Sequence, residues 1–163
     1  MMFDSERERT FSRRQVLEIA GALAAGCAAP SMAIGPAAAT PAEMQAAVAQ
    51  AIGDARLNPG KVKLDIPPLV ENGNTVPCTV TVESPMTAAE HVKAIHIFAE
   101  QNPQPRVISV ALGPRAGRAS VSTRIRLRDT QNVLAVAELS DGTFWSDRVN
   151  VIVTIGACLE DVL

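Results

Sequence analysis

The side chain best placed for covalent chemistry in this sequence is the thiol of Cys158, in the closing run Thr154-Ile155-Gly156-Ala157-Cys158-Leu159-Glu160-Asp161-Val162-Leu163. A thiolate is a strong nucleophile, and near a chain terminus it faces other molecules rather than a core. Other chemistry has little to draw on, since the chain holds 2 His and no Tyr. His91 and His96 lie five apart on or beside one predicted strand, which turns their side chains to opposite faces and keeps them from sharing a metal. They read as a boundary His and a strand His with a local hydrogen bond. No spacing matches a metal-ligand cluster or a phosphate-cradling glycine loop. Phe144 and Trp145 read as core or sheet-edge anchors.

Around Cys158 the alternating strand pattern stops at Ile155, and Gly156 reads as a pivot for a short tether. Three extended residues would carry the thiol about 10 Å beyond the strand end. A mobile thiol lacks the fixed neighbours catalysis needs, but suits a group presented to other proteins. A thiol-based redox enzyme would also require a resolving thiol and positive surroundings. Cys78 shares parity with Val76, Val80 and Val82 and is expected as a small buried hydrophobe. Burial of one thiol and mobility of the other argue against a Cys78–Cys158 disulfide, even in an oxidising compartment.

Arg115, Arg118, Arg124, Arg126 and Arg128 form a basic cluster, and alternation puts Arg124, Arg126 and Arg128 on one strand face. The ordinary reading is a solvated outer face. The functional one is a docking face for acidic partners or small oxyanions.

The elements that must position these groups are mostly strands. The 163 residues suit one domain, and 47% hydrophobic content excludes a mostly disordered chain. A formal charge of −2 argues against capture of nucleic acid through its phosphates. Residues 41–56 form the one helical candidate: Thr40 caps it, Pro41 and Glu43 suit its first turn, and Asn58-Pro59-Gly60 ends it. Met44, Ala47, Val48, Ala51 and Ile52 share one face. Seven runs then follow, at 62–66, 76–82, 92–99, 106–112, 120–127, 132–139 and 144–155. Turn residues separate them, including Asn72-Gly73 and a two-residue hairpin at Asp141-Gly142. This is the pattern of an all-β, immunoglobulin-like sandwich of about seven strands, with a short N-terminal helix and a flexible C-terminal arm. Pro77 implies an edge strand or a bulge.

The first residues read as an address. Arg13-Arg14 precedes an apolar run over 19–29, too short to span a bilayer, in the manner of a twin-arginine export signal. Ser31-Met32-Ala33 offers a cleavage site, with Ala37-Ala38-Ala39 as a second. Cys27 after Gly26 raises acylation as the rival reading. The expected organisation is a signal peptide over 1–33, a linker and helix over 34–60, the sandwich over 61–155 and the arm over 156–163. The expected location is the periplasm, with no membrane attachment once the leader is removed.

Several segments together resemble one family: Val62-Lys63-Leu64-Asp65-Ile66-Pro67, Glu71-Asn72-Gly73-Asn74-Thr75-Val76-Pro77, Ser84-Pro85-Met86-Thr87, His96-Ile97-Phe98-Ala99-Glu100, Ser122-Thr123-Arg124-Ile125-Arg126-Leu127, Thr130-Gln131-Asn132-Val133 and Val153-Thr154-Ile155-Gly156. With the leader, this is similar to SoxY, the sulfur-carrier subunit of periplasmic thiosulfate oxidation. The resemblance runs from about residue 62 to 158. It implies a non-enzymatic carrier with no cofactor beyond sulfur species bound covalently on Cys158. It implies a SoxZ-like β-sandwich partner, in a heterodimer, and periplasmic sulfur-oxidising enzymes that act on the cargo. The alternative is an assembly module, paired with a SoxZ-like protein or as a homodimer, in which Cys158 carries nothing.

The arm departs from the family's Gly-Gly-Cys-Gly-Gly ending: Gly156 is kept, but Ala157, Leu159 and Glu160 replace glycines, resembling a related branch with an Ala-Cys-Ile-Glu type of ending. Ala157 loses left-handed freedom, and Glu160 and Asp161 disfavour the thiolate by like-charge repulsion. The five residues after Cys158, about 17 Å when extended, require a receiving channel wider than one built for a bare glycine end. Altered enzyme partners and a different sulfur cargo are the expected consequences.

Overall fold

The computed structural model describes residues 40–157. Helix α1 (Pro41–Ile52) starts with a capping box, in which the Glu43 N–H donates to Thr40 Oγ1 at 3.4 Å and the Thr40 N–H donates to Glu43 Oε2 at 2.9 Å. The helix ends earlier than the sequence suggests. Gly53 takes φ 62° and donates its N–H to the Ala49 carbonyl, which closes the last turn before Asn58-Pro59-Gly60 is reached.

Among the described residues nine strands follow: β1 (Leu57–Pro59), β2 (Val62–Asp65), β3 (Leu69–Asn72), β4 (Val76–Val82), β5 (Val92–Ala99), β6 (Arg106–Ala111), β7 (Ser120–Ile125), β8 (Gln131–Leu139) and β9 (Phe144–Ile155). They form an immunoglobulin-like sandwich. One sheet runs β1-β9-β8-β5-β6, with β3 also on β9, and the other runs β2-β4-β7. All seven expected runs are strands. The two extra ones, β1 and β3, are short and pair parallel with β9. Neither is long enough to set up an alternation of its own.

The inward residues are those the period of two selects. Val76, Cys78, Val80 and Val82 from β4 meet Ile95 and Ile97 from β5 and Val133, Ala135 and Ala137 from β8 in one core. A second cluster lies on the outer face of the larger sheet, where Met44 and Val48 of α1 cover Phe98, Leu134, Val136 and Phe144. Trp145 packs against the inner core, with Lys61 Nζ 4.9 Å from its ring centroid. The sheets are also tied by a polar contact: the Leu64 N–H of β2 donates to Asp147 Oδ2 of β9 at 2.8 Å.

Two further expectations are corrected. β4 is the central strand of its sheet, not an edge, yet β2 stops opposite Thr79, so Pro77 lies past the end of that neighbour and forfeits no bond to it. The β8–β9 connection uses Ser140, Asp141 and Gly142, with Gly142 at φ 80°, rather than a two-residue turn. Asp141 Oδ1 accepts from the Thr143 N–H at 2.8 Å and the Thr143 hydroxyl at 2.7 Å, bonds that hold its carboxyl below the usual range.

Candidate functional site

The residues leading to Cys158 are built into the body. At the end of β9 the Ile155 carbonyl accepts from the Gly73 N–H at 2.7 Å. The Gly73 carbonyl accepts from the Leu127 N–H at 2.8 Å, and the Leu127 carbonyl accepts from the Ala157 N–H at 3.0 Å. The turn after β3, the loop after β7 and the end of β9 are thereby stitched together by main-chain bonds. Both glycines are required for close approach. A Cβ on Gly73 would stand 2.2 Å from the Leu127 carbonyl oxygen, and one on Gly156 would stand 1.8 Å from that of Arg128.

Gly156 is therefore not the expected pivot. It is buried and serves by lacking a side chain, and no left-handed backbone is involved. Ala157 is likewise bonded to the body, so two of the three residues assigned to the tether belong to the sandwich end. Cys158, Leu159 and Glu160, and the expected leader with Cys27, lie outside the described residues.

The 126–130 loop that receives Gly156 is held from behind by amides. Asn102 Nδ2 donates to the Arg126 carbonyl at 2.8 Å, and Asn102 Oδ1 accepts from the Arg128 N–H at 3.0 Å. Gln131, only 2% exposed, accepts from the Gln101 N–H through Oε1 and donates through Nε2 to Asn102 Oδ1 and the Asp129 carbonyl. The Thr130 hydroxyl accepts from the Val153 N–H at 3.0 Å. Sequence reasoning missed Gly73, Asn102 and Gln131 as supports of the arm. The Asn72-Gly73 turn was the one available signal.

Cys78 is a free thiol, 1% exposed, and its pKa is pushed up to about 11 by burial first and by the charge of Asp65 second. It is the small hydrophobe its parity suggests. His96 Nδ1 lies 2.8 Å from the Ser109 hydroxyl, the local bond expected of a strand His. Its pKa is lowered, by burial first and Arg106 second, against an opposing Glu138. His91 precedes β5, and its buried Nδ1 has no partner among the described residues. Among those residues no group of three or more His, Cys, Asp or Glu gathers to hold a metal.

Arg124 is on β7, but that strand ends at Ile125, so Arg126 and Arg128 belong to the loop beyond it rather than to one strand face. They nevertheless come together. Arg106, Arg124, Arg126 and Arg128 line one cleft of about 470 Å³ between the edge strands β6 and β7, along with Asn102 and Gln104. Arg115 and Arg118 are exposed and stand apart from it.

This architecture has known counterparts. The SoxY sulfur carrier protein of Chlorobium limicola superposes with a TM-score of 0.59 at 29% identity, over 70% of this chain and 98% of that one. The superoxide reductase (neelaredoxin) of Ignicoccus hospitalis gives 0.52 at 19% identity, over 58% of this chain and 80% of that one. A putative superoxide reductase of Thermotoga maritima also gives 0.52 at 19%, over 60% and 93%. At such identities the reductases share the fold alone. No curated protein sequence matches the chain significantly. The family profile described as sulfur oxidation protein SoxY matches residues 48–158, from helix α1 to the arm cysteine. The chain belongs to the SoxY family.

Proposed function

We propose that this protein is a non-catalytic carrier in periplasmic sulfur oxidation, exported by the twin-arginine route, that holds sulfur intermediates covalently on Cys158 for partner enzymes. The observation that carries the reading is the family match reaching residue 158, next to an arm root stitched to the body at Ile155 and Ala157. A Chlorobium relative with the same fold is itself described as a sulfur carrier protein. Cys78, the other thiol of the mature chain, is sealed in the core with a raised pKa and is unsuited to exchange. Cys158 is left as the carrier group, the sandwich supplies a rigid mount, and catalysis comes from the enzymes it visits. A SoxZ-like sandwich protein is its proposed partner.

Loading is testable with tetrathionate, which is itself the oxidant. A Cys158 thiolate attacking tetrathionate forms a cysteinyl S–S bond and breaks the central S–S bond, leaving S-thiosulfonate on the cysteine and releasing thiosulfate. Intact-mass spectrometry should show this adduct on Cys158 and none in Cys158→Ser. Full biological activity of Cys158→Ser would instead favour the assembly-module reading.

A further inference from the structure

The cleft between β6 and β7 is unusual for its charge. Four arginines line it, and among the described residues no carboxylate does. Arg106, Arg124 and Arg126 set like charges around one concavity, an arrangement that favours an anion among them, and low-dielectric walls concentrate their field. The volume of about 470 Å³ lies in the range of small-molecule sites. One of its lining residues is held in place: Asn102 is bonded by Gln131 and by the main chain at Arg126 and Arg128. The Arg106 charge is also felt on the outer face of β5, where it helps to lower the His96 pKa. Arg128 joins cleft and arm, since it lines the one while its carbonyl receives Gly156.

We propose that this cleft is an anion site that takes a sulfur oxyanion with a terminal SO₃ group, held by the guanidinium forks of Arg106, Arg124 and Arg126. Planar forked donors match the oxygen triangle of such a group, and its charge relieves the repulsion among the arginines. The inference rests on the carrier reading for the kind of anion. Two sources share this chemistry: a dissolved ion, and the outer end of a cargo borne on Cys158.

The test uses the full chain with Cys158→Ser, so that binding is independent of loading. Sodium thiosulfate is titrated at constant ionic strength, with sodium chloride as balance, while amide NMR signals are followed. Saturable shifts confined to residues 102–108 and 124–128 are expected. Affinity should fall at least tenfold in the triple variant Arg106→Gln, Arg124→Gln, Arg126→Gln. The corresponding triple lysine variant, which keeps the charge but not the forks, should fall severalfold. Absence of saturation, equal affinity in the glutamine variant, or saturation only by an acidic peptide would overturn the proposal. In the unsubstituted chain loaded with tetrathionate, a tenfold loss of thiosulfate affinity identifies the tethered group as the occupant, and unchanged affinity identifies the dissolved ion. A loaded Cys158 beside a silent cleft defeats this inference alone, and a cleft that binds beside an unreactive Cys158 defeats the carrier reading alone.

Discussion

The carbonyl oxygen of Arg128 lies 1.8 Å from where a Cβ on Gly156 would stand. The two backbones are in contact, so even one methyl group at residue 156 must push the 126–130 loop away. Gly156→Ala should therefore destabilise the protein by about 1–3 kcal/mol, the usual range for overpacking. Gly73→Ala, aimed at the Leu127 carbonyl from 2.2 Å, should behave similarly. Thermal denaturation reads both, and an unchanged midpoint for Gly156→Ala would mean that the arm root is not anchored as described.

Cys78 should resist alkylation in the folded protein and react only on unfolding, as followed by peptide mapping after iodoacetamide treatment. A thiol with its pKa raised to about 11 presents little thiolate at neutral pH. The folded state holds this proton more tightly than the unfolded chain. Its contribution to stability is complete below the ordinary thiol range and is lost as pH rises toward about 11. Cys78→Ala should flatten that alkaline loss in denaturant titrations.

The bond from the Leu64 N–H to Asp147 is a second point of failure. Removing a charged acceptor from a half-buried amide costs about 1–3 kcal/mol, so Asp147→Ala should lower the urea midpoint accordingly. Asp147→Asn keeps an acceptor oxygen and should lose less. Hydrogen exchange at the Leu64 amide is the local check, and it should quicken in the alanine variant.

His96 should titrate below the ordinary histidine value, through burial first and the Arg106 charge second. With its folded pKa depressed, the stability it contributes is present above about pH 6.5 and is lost as pH falls through the lowered value. Arg106→Gln should move the titration upward in ring-proton NMR. A titration that stays put would show that Arg106 exerts no field there.

Much of the sandwich is legible in the residues, because a strand with one buried face must alternate. Val76, Cys78, Val80 and Val82 announce their own burial, and so do Ile125 and Leu127. What alternation misses is short or borrowed. β1 and β3 exist because β9 offers them an edge, and their own three or four residues carry no period. The helix stops at Gly53 for a local reason that a later Asn-Pro-Gly signal overshadows. The site is less legible than the fold. Cys158 stands out by type and place, but the stitching of Gly73, Leu127 and Ala157 joins segments more than eighty residues apart. Gly156 shows why residue type alone misleads: a glycine beside a terminus suggests freedom, whereas here it permits contact.

The long strand β9 has one further consequence. Its flank away from β8 would invite another polypeptide to add as an extra strand, the usual seed of clumping. β1 covers that flank at Phe144 to Ser146, and β3 covers it at Ile152 to Ile155. Along these two stretches the flank of β9 is thereby closed to an added strand.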